Sequence, residues 1–296
     1  MKIIKYLKNP KRLFFCLGMR GKLGFIPDKV YLNLMYWSNT GKWINIDNPK
    51  TYNEKLQWLK LYDRNPEYTK MVDKYLAKKY VSSLIGDEFI IPTLGVWDKF
   101  DDIEFENLPK EFVLKCTHDS GGLVICKDKS KLDLSKARKK INNSLKRNYY
   151  KAGREYPYKE VKPRIIAEKY MEDEALGELV DYKFYTFGGV PKVLFIASNR
   201  MSGNTCADYY DMDFNKLPFT WGYPNSSVEI KKPKNFEKMV YLAEILAKNT
   251  TELRVDFYEV NGKVYFGELT FFDGSGFCAF EPNEWDLKLG EYIVLP

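Results

Sequence analysis

Two acidic residues near the end of the chain, Asp256 and Glu268, each lie within an otherwise apolar segment. β-Branched and aromatic residues surround them, and the dipeptide Asn261-Gly262 between them is typical of a β-hairpin turn. A carboxylate on a largely buried strand is costly unless it meets a cation or a hydrogen-bond network. Divalent cations such as Mg²⁺ take oxygen ligands, and the phosphates of a nucleotide can complete their coordination. The two acids therefore predict a magnesium site that also holds a nucleotide.

The length of the hairpin turn decides whether these carboxylates can reach one metal ion. With a two-residue turn, Glu268 would lie opposite Val255, and the two acids would point to opposite faces because side chains alternate along a strand. A three-residue turn over 260–262, ending in a left-handed glycine, pairs Glu259 with Lys263 and moves both acids to one face. We therefore predict the three-residue turn. The shared face would carry Arg254, Asp256, Glu268 and Thr270.

A lysine and a glycine-containing loop form a second candidate for phosphate binding. Lys115 lies in a short apolar segment that predicts a strand, and Ser120-Gly121-Gly122 leads into the next strand. Glycines let backbone amides approach phosphate oxygens, and the lysine supplies positive charge. Neither a GxxxxGK[ST] loop nor a strand-linked GxGxxG occurs, which argues against a P-loop enzyme and a dinucleotide-binding unit. Taken alone, Lys115 could be a strand lysine with an apolar stem, and the glycine pair could be a tight turn.

The elements that must position these residues alternate between helices and short strands. Thr51 and Glu54 form a capping box that predicts a helix start, and a second helix is expected after Asn65-Pro66. Strand-like segments are 90–97, 112–116, 123–127, 165–170, 181–187 and 193–198, and further helices are expected at about 135–150 and 235–248. Strands with one helix, followed by more strands with a helix across them, indicate α+β subdomains with an antiparallel sheet.

Composition indicates an ordered globular protein. The chain has 296 residues, of which 45% are hydrophobic and 16% aromatic, and no run of about 18 apolar residues predicts a membrane span. The start of the chain lacks the apolar core of a signal peptide. Five scattered cysteines and one histidine argue against a zinc site and favour reduced thiols in the cytoplasm. No helix-turn-helix or RNP motif occurs, so we expect no nucleic-acid partner.

The net charge of +7 is concentrated at the front of the chain, where Asp28 is the first acid. Basic and apolar residues alternate over residues 1–25, which is compatible with peripheral contact with an anionic membrane surface at the inner face of the membrane. A basic terminal segment that packs on the body of the protein is the alternative. The remaining excess of basic residues favours an anionic substrate.

The order of these motifs resembles the ATP-grasp superfamily, and more closely its branch of proteins similar to the teichuronopeptide biosynthesis protein TupA. The resemblance extends from about Asn48 to Gly276 and rests on five motifs: 48–61, 73–75, 112–122, 181–185 and 254–258. It implies an α+β fold of the ATP-grasp type, in which two α+β subdomains grip a nucleotide behind a mainly helical N-terminal region. The expected segments are 1–105 for the N-terminal region and the lobe that follows it, 106–165 for the small subdomain with the phosphate loop, and 166–296 for the large subdomain with the metal site.

The resemblance also implies roles for individual residues. Nucleotide-binding roles fall to Lys74, Lys115, Ser120, Gly121, Gly122, Glu168, Lys169, Tyr170, Glu174 and Asp181. Catalytic roles fall to Lys183 and Arg254, and magnesium ligands would be Asp256, Glu268 and Thr270. Typical members of the superfamily have asparagine where this chain has Thr270, which implies a weaker or hydrated second metal ion.

Several of these residues have a structural alternative. Asp256 and Glu268 could form ion pairs with Arg254, and Asp181 and Lys183 could be an exposed pair, because residues two apart on a strand share a face. His118, the one histidine, lies in the phosphate loop and is interpreted as loop structure, since an imidazole without a partner makes no catalytic triad.

The function that the resemblance implies is an ATP- and Mg²⁺-dependent carboxylate–amine ligase that forms an acyl-phosphate intermediate during cell-surface polysaccharide biosynthesis of the capsule or teichuronic type. Its partners would be a sugar or amino acid that bears a carboxylate, and an amine nucleophile. One alternative is a glycosyltransferase, because Asp211-Met212-Asp213 fits the weak DxD motif of enzymes that use nucleotide sugars. The other is a non-catalytic scaffold associated with the cell envelope.

Overall fold

The structure, a computed structural model, describes residues 9–174, 179–198 and 205–296. Its first part is helical: α1 spans Pro10–Met19, α2 Asp28–Thr40 and α3 Tyr52–Tyr62. Asn9 caps α1 by accepting a hydrogen bond from the backbone amide of Arg12, and Pro10 starts the helix with a favourable φ. The capping box predicted at α3 is confirmed, since Thr51 and Glu54 satisfy each other's backbone amides.

The second predicted helix is two helices, α4 over Glu67–Val72 and α5 over Leu76–Ile85. Asp73 separates them, because its extended backbone ends α4 while its carboxylate accepts hydrogen bonds from the amides of Tyr75 and Leu76. An aspartate that bonds neighbouring amides in this way competes with helix continuation. Lys74 therefore lies at a break between helices instead of within one.

Four strands form the first antiparallel sheet, in the order β1-β4-β2-β3. They are β1 over Thr93–Trp97, β2 over Phe112–Cys116, β3 over Leu123–Cys126 and β4 over Ile165–Lys169. Helix α6, which spans Leu134–Leu145, packs on one face of the sheet through Ala137 and Ile141. The short helix α7 follows over Tyr150–Gly153, so the single helix expected at about 135–150 ends early.

Five strands form the second sheet, in the order β10-β9-β5-β6-β7. They are β5 over Asp181–Phe187, β6 over Val190–Ser198, β7 over Cys206–Tyr210, β9 over Glu252–Val260 and β10 over Lys263–Thr270. Helix α8 over Phe236–Ala247 packs on one face, where Phe184 and Val255 are buried. Two short strands, β8 over Thr220–Trp221 and β11 over Phe280–Glu281, pair with each other, and α9 spans Glu284–Tyr292.

The three-residue turn predicted between β9 and β10 is wrong. Val260 pairs with Lys263, so the turn has two residues, Asn261 and Gly262, both with positive φ. This is the twist-compatible turn that an Asn-Gly dipeptide favours. The register nevertheless shifts by one residue between Phe266 and Glu268, which makes Gly267 a β-bulge.

The bulge restores the arrangement that the turn was expected to produce. Glu268 pairs directly with Asp256, and Thr270 pairs with Arg254. Residues directly opposite each other on antiparallel strands share a face. The prediction that these four side chains lie on one face is therefore confirmed, although the extra residue that aligns them lies in β10 and not in the turn.

The division of the chain at residues 105 and 165 stays a prediction, and the first sheet contains strands from all three of the expected segments. Cys16, Cys116, Cys126 and Cys278 are free thiols, which agrees with the expectation of reduced cysteines. None of the helices formed by the described residues combines the length and hydropathy that a membrane span requires.

Candidate active site

Arg254 lies among three carboxylates on the face of the five-stranded sheet opposite α8. Its Nε and Nη2 donate to the two carboxylate oxygens of Asp256 at 2.7 and 2.8 Å. Nη2 also lies 2.7 Å from Oε1 of Glu268, and Nη1 lies 2.6 Å from Oδ1 of Asp273. Burial alone would lower the pKa of Arg254, but these carboxylates outweigh burial and raise the pKa well above its usual value. The guanidinium thus fixes the positions of both predicted metal ligands.

Two rows of side chains cross three strands at this point. One row consists of Glu268, Asp256 and Lys183, and the next row consists of Thr270, Arg254 and Tyr185. The amine of Lys183 contacts the Asp256 carboxylate and lies 3.3 Å from Oδ1 of Asp181. Lys183 is 13% exposed and Asp181 is buried, so they do not form the exposed pair considered as an alternative. The predicted catalytic lysine and arginine lie together with the predicted metal ligands.

The charge balance of this acid cluster is negative. Its carboxylates are those of Asp181, Asp256, Glu268 and Asp273, and its cations are Lys183 and Arg254. Burial would raise the pKa of Glu268, but Arg254, Lys74 and Lys183 outweigh it and lower the pKa to about 2. The Glu268 carboxylate is therefore ionised at neutral pH.

The donor set fits a magnesium ion that is shared with a phosphate. The side chain of Glu268 is 39% exposed, and its bonds from Arg254 and Thr270 both go to Oε1. Among the described residues, no group of three or more histidine, cysteine, aspartate and glutamate side chains could hold a metal ion by itself. Mg²⁺ in nucleotide sites is bound by one or two carboxylates and by phosphates, and not by a cage of protein ligands. Glu268 and Asp256 would hold the ion.

The hydroxyl of Thr270 is hydrogen-bonded to two neighbouring side chains of the acid cluster. It donates to Oε1 of Glu268 at 3.0 Å and accepts from Nη2 of Arg254 at 3.0 Å. These bonds orient the Glu268 carboxylate. Direct coordination by Thr270 stays a prediction.

A second cluster lies on the four-stranded sheet, on the face opposite α6. Glu168 is 5% exposed, and its carboxylate is held by Lys78 at 2.5 Å and by Lys115 at 2.6 Å. Burial would raise the pKa of Glu168, but Lys115 and Lys78 outweigh it and lower the pKa to about 2. Two lysines that converge on one carboxylate form a site whose positive charges can also bind phosphate oxygens.

The loop between β2 and β3 follows Lys115 directly. Gly122 donates its backbone amide to Oδ1 of Asp119 at 3.0 Å, and Ser120 and Gly121 are exposed at the tip. A Cβ at Gly122 would lie 2.5 Å from Sγ of Cys116 and 2.6 Å from Oγ of Ser144, so no larger residue fits there. His118 is buried and packs below the loop against the end of α6, which agrees with its interpretation as loop structure.

Lys74 connects the loop to the acid cluster. Its amine donates to the carbonyl oxygen of Asp119 at 2.6 Å, and its backbone amide donates to the carbonyl oxygen of Thr117 at 3.0 Å. The same lysine is one of the charges that lower the pKa of Glu268. Lys74 is therefore bonded to the loop predicted to bind phosphate and lies near enough to Glu268 for its charge to act on that carboxylate.

The other predicted nucleotide-binding residues lie farther along the two sheets. Lys169 ends β4 with an exposed side chain, and the hydroxyl of Tyr170 bonds Glu172. Glu174 bonds Asn261 in the β9–β10 turn, at the opposite end of the hairpin from Glu268. The structure thus separates Glu174 from the acid cluster, and its role near a ribose stays a prediction.

Sequence reasoning missed two residues of the site, Lys78 and Asp273. Lys78 lies within α5 whereas Lys74 precedes that helix, so helical spacing does not relate the two lysines and gave no signal. Asp273 lies in the irregular segment after β10, where spacing rules do not apply. In contrast, Asp211 of the DxD motif accepts hydrogen bonds from the backbone amides of Asp213 and Asn215, which makes it part of a turn.

Comparisons with known proteins give a family match and several similar solved structures. The sequence model of a family described as TupA-like ATP-grasp matches residues 54–294. No curated protein matches the sequence significantly. One similar solved structure is a D-alanine–D-alanine ligase from Bacillus anthracis complexed with ATP, with 18% sequence identity, a TM-score of 0.41 and coverage of 68% of this chain and 55% of that chain. A second is a D-alanine–D-alanine ligase from Helicobacter pylori, with 16% identity, a TM-score of 0.42 and coverage of 83% of this chain and 69% of that chain. A third is an L-amino acid ligase from Bacillus licheniformis, with 14% identity, a TM-score of 0.44 and coverage of 76% of this chain and 49% of that chain. The chain spans only about half of the first and third of these proteins.

Proposed function

The chain belongs to the TupA-like ATP-grasp family, and on this basis we propose that it is an ATP- and Mg²⁺-dependent carboxylate–amine ligase. The observation that carries the proposal is the position of Lys74. This lysine bonds the loop that follows Lys115 and also acts on the charge of Glu268. One positive charge therefore acts at both the candidate phosphate loop and a candidate metal ligand, which supports binding of a triphosphate between them.

ATP would bind between the two sheets. Lys115 and Lys78 supply positive charge for phosphate oxygens, and their present partner Glu168 keeps both amines fixed on the sheet. Backbone amides at the tip of the loop, at Ser120 and Gly121, are exposed and can approach the phosphates. Following the family resemblance, Glu168, Lys169 and Tyr170 would border the adenine, and Asp181 or Glu174 would contact the ribose.

The acid cluster would hold Mg²⁺ through Asp256 and Glu268. When bound, the ion would neutralise charge on the phosphates and polarise the bond to the transferred phosphoryl group. Arg254 holds both carboxylates in position and lowers the pKa of Glu268, and Thr270 orients Glu268. The fit between the donors and the ion is the reason for assigning these roles.

The reaction would consist of two transfers. A substrate carboxylate oxygen attacks the γ-phosphorus of ATP, the bond to the β-phosphate oxygen breaks, and ADP leaves. An amine then attacks the acyl phosphate, loses a proton and releases inorganic phosphate, which leaves an amide. Lys183 and Arg254 lie beside the metal ligands, where they can stabilise negative charge on the acyl-phosphate oxygens.

The substrates that we propose are a uronic acid or an amino acid as the carboxylate donor, and an amine, in the biosynthesis of a cell-surface polysaccharide of the capsule or teichuronic type. Membership in the TupA-like family supports this assignment. A glycosyltransferase is less well supported, because the Asp211 carboxylate of its candidate motif is already bonded within a turn.

Peripheral contact with the inner face of an anionic membrane is a further part of the proposal. The predicted segment is 1–25, of which residues 1–8 lie outside the described part of the chain. At its end Phe25 is 81% exposed, and nearby Trp43 is 60% exposed and stacks on Trp37. Lys11 lies 4.3 Å from the Trp37 ring, so basic and aromatic groups occur together as in interfacial segments. Sedimentation with anionic and with neutral vesicles tests this part, and equal binding to both would exclude it.

Isotope transfer tests the ligase chemistry. A candidate acid labelled with ¹⁸O in its carboxylate is incubated with ATP, Mg²⁺ and an amine, and the products are analysed by mass spectrometry. The proposal predicts ADP, an amide and one ¹⁸O atom in the released phosphate, because the carboxylate oxygen leaves with the phosphoryl group. Amide formation with unlabelled phosphate would rule out the acyl-phosphate route. Selective thermal stabilisation by a uridine diphosphate sugar, without any effect of ATP, would favour the glycosyltransferase instead.

A further inference from the structure

A cleft with a basic and aromatic lining lies next to the candidate active site, between the end of α6 and the segment before β4. Its volume is about 360 Å³. The residues that give it its chemical character are His118, Lys146, Arg147, Tyr149, Tyr158 and Lys159. None of them belongs to the proposed ATP or magnesium site.

The positive charge of the cleft is largely uncompensated. The segment 134–154, which forms α6, α7 and one wall of the cleft, contains eight lysines and arginines and no acid. Three of the eight, Lys136, Arg138 and Arg154, pair with acids outside the segment, and these three do not line the cleft. Lys146 and Lys159 are exposed and form no ion pair with any residue that the structure describes. Arg147 lies 3.9 Å from Asp119, whose carboxylate already bonds Gly122 and Ser144. Glu160 is the single acid in the lining, so the cleft favours an anion.

His118 adds a hydrogen-bond acceptor to the lining. It is 3% exposed, and its Nε2 lies 3.2 Å from the carbonyl oxygens of Ser144 and Arg147, to which it donates. Nδ1 is therefore the unprotonated nitrogen of a neutral ring, and it has no hydrogen-bond partner among the described residues. Burial lowers the pKa of His118, which keeps the ring neutral. A hydroxyl group is the kind of donor that such a nitrogen lacks.

Two tyrosines separate the cleft from the acid cluster. The rings of Tyr149 and Tyr158 pack against each other with centroids 4.7 Å apart. Ser120 of the phosphate loop and Glu268 of the acid cluster both influence the pKa of Tyr149, and Glu268 and Arg254 influence the pKa of Tyr158. Aromatic walls with a few polar groups are typical of ligand sites, and aromatic faces attract the polarised C–H groups of sugar rings.

We propose that this cleft binds the acidic carbohydrate portion of the ligase substrate, with a carboxylate or phosphate group at Lys146, Arg147 and Lys159 and a sugar ring against Tyr149 and Tyr158. This assignment rests on the proposed function, because it takes the tyrosine pair as the boundary between the substrate and the phosphates of ATP. It adds a recognition site that the metal and nucleotide residues do not provide. The required ligand is a hydroxylated anion, and neutral sugars lack the group that the three cations bind.

Titration calorimetry tests the proposal by measuring the affinity of the full chain for three defined probes. The probes are trigalacturonate as a carboxylate sugar, glucose 1-phosphate as a phosphate sugar, and maltotriose as a neutral sugar. We expect one or both acidic probes to bind and maltotriose not to bind. Lys146→Ala combined with Lys159→Ala should weaken binding of the acidic probe roughly tenfold or more, because two charge-assisted hydrogen bonds to the anion are lost.

The matched control is Lys139→Ala combined with Lys140→Ala. It also removes two positive charges, but from residues of α6 that do not line the cleft. Its affinity for the acidic probe should stay within about twofold of the wild type. Absence of acidic-probe binding by the wild type, equal binding of maltotriose, or an equal loss in the control would overturn the proposal. Affinity for MgATP is measured on the same proteins and should not change in the cleft variants; a parallel loss would overturn the assignment of a separate site. If the wild type binds acidic sugars but not MgATP, the ligase function fails while the cleft proposal stands.

Discussion

Arg254 is the residue on which the electrostatics of the acid cluster depend. It is 7% exposed and contacts three carboxylates, so its removal would leave several negative charges close together in a poorly hydrated place. Breaking a buried ion pair by removing one partner is costly because the other charge remains without compensation. The arginine thus stabilises the folded protein, and it also positions Asp256 and Glu268 for the proposed metal site.

Arg254→Met should destabilise the protein by about 3–5 kcal/mol, measured by urea unfolding at pH 7. Arg254→Lys is the matched variant, because it keeps the charge but loses the forked geometry that contacts several oxygens. We expect it to recover part of the stability but little of the affinity for MgATP. A loss below about 1 kcal/mol in the methionine variant would show that the cluster does not depend on the guanidinium.

Glu252 gives a prediction about pH. Its side chain is 2% exposed, and burial raises its pKa to about 8 although Tyr52 donates a hydrogen bond to it. Between the ordinary pKa near 4.5 and about 8, the folded protein keeps a proton that the unfolded chain loses, so stability falls as the pH rises. Glu252→Gln stays neutral and should be more stable than the wild type at pH 8.5, on the order of 3 kcal/mol, with little difference at pH 4.

Urea unfolding of both proteins over this pH range checks the effect, since only the difference between them isolates Glu252. A constant difference across the range would mean that the pKa of Glu252 is the same in the folded and the unfolded protein, and so is not raised by burial.

At the scale of residues, the sequence was sufficient to identify a candidate site residue where a polar side chain occurred within an apolar segment. Asp256, Glu268 and Lys115 were found in this way, and the structure places the two acids on one face. Asp273 could not be found, because its contact with Arg254 depends on the path of an irregular segment. The ion pairs of Arg254, weighed as a structural alternative, are present, and binding of a metal ion by the same carboxylates stays a proposal.

At the scale of elements, the β9–β10 hairpin shows how a single glycine aligns the site. Phe266 and Glu268 are two residues apart and would share a face on a regular strand, but the bulge at Gly267 sends Phe266 to the core and Glu268 to the acid cluster. A Cβ at Gly267 would lie 3.1 Å from the carbonyl oxygen of Asp256 and 3.1 Å from the Tyr258 ring. The bulge therefore leaves little room for a side chain.

Gly267→Val should lower stability by about 1–3 kcal/mol and weaken MgATP binding, because the valine forces Asp256 and Tyr258 to move. Deletion of Gly267 is the informative comparison. Without this residue the strands pair regularly, and Glu268 stays opposite Asp256, so we expect the deletion variant to keep more MgATP affinity than the valine variant. Titration calorimetry compares the two, and the reverse order of affinities would refute the role assigned to the bulge.

The sequence predicted the type of most elements but not where two irregularities fall. A glycine within a strand is a signal for a bulge, yet Gly262 in the turn offered the same explanation for the shared face. The break between α4 and α5 depends on the Asp73 carboxylate, which bonds two amides of the next helix. Periodicity does not reveal such local competition, because apolar residues continue through the break.

At the scale of the whole molecule, helix α3 of the N-terminal region donates hydrogen bonds to the segment that carries Asp273. Lys60 and Gln57 on α3 donate to the carbonyl oxygens of Ser275 and Gly276 in the segment that follows β10. Phe272 and Ser275 in that segment have positive φ, a conformation that side chains rarely adopt and that needs support from its surroundings. The bonds from α3 hold the segment that carries Asp273, so the first hundred residues contribute to the acid cluster.

The order of motifs along the chain predicted the fold, since five short patterns in sequence matched one family. It did not reveal how the two sheets meet. Lys74 makes this connection at a helix break, through a backbone carbonyl and through the charge of Glu268. Lys74 thus relates Asp119, through a hydrogen bond, and Glu268, through its charge, and no local sequence pattern connects these three positions.

The most direct test of the account is calorimetric titration of the full chain with ATP in the presence and absence of Mg²⁺, for the wild type and for Asp256→Asn combined with Glu268→Gln. The acid cluster predicts that Mg²⁺ strengthens ATP binding by the wild type at least about tenfold and that the double variant, which keeps Lys78, Lys115 and the phosphate loop, loses this dependence. Equal ATP affinity with and without Mg²⁺ in the wild type, or an unchanged effect of Mg²⁺ in the double variant, would contradict the claim that these two carboxylates bind the metal.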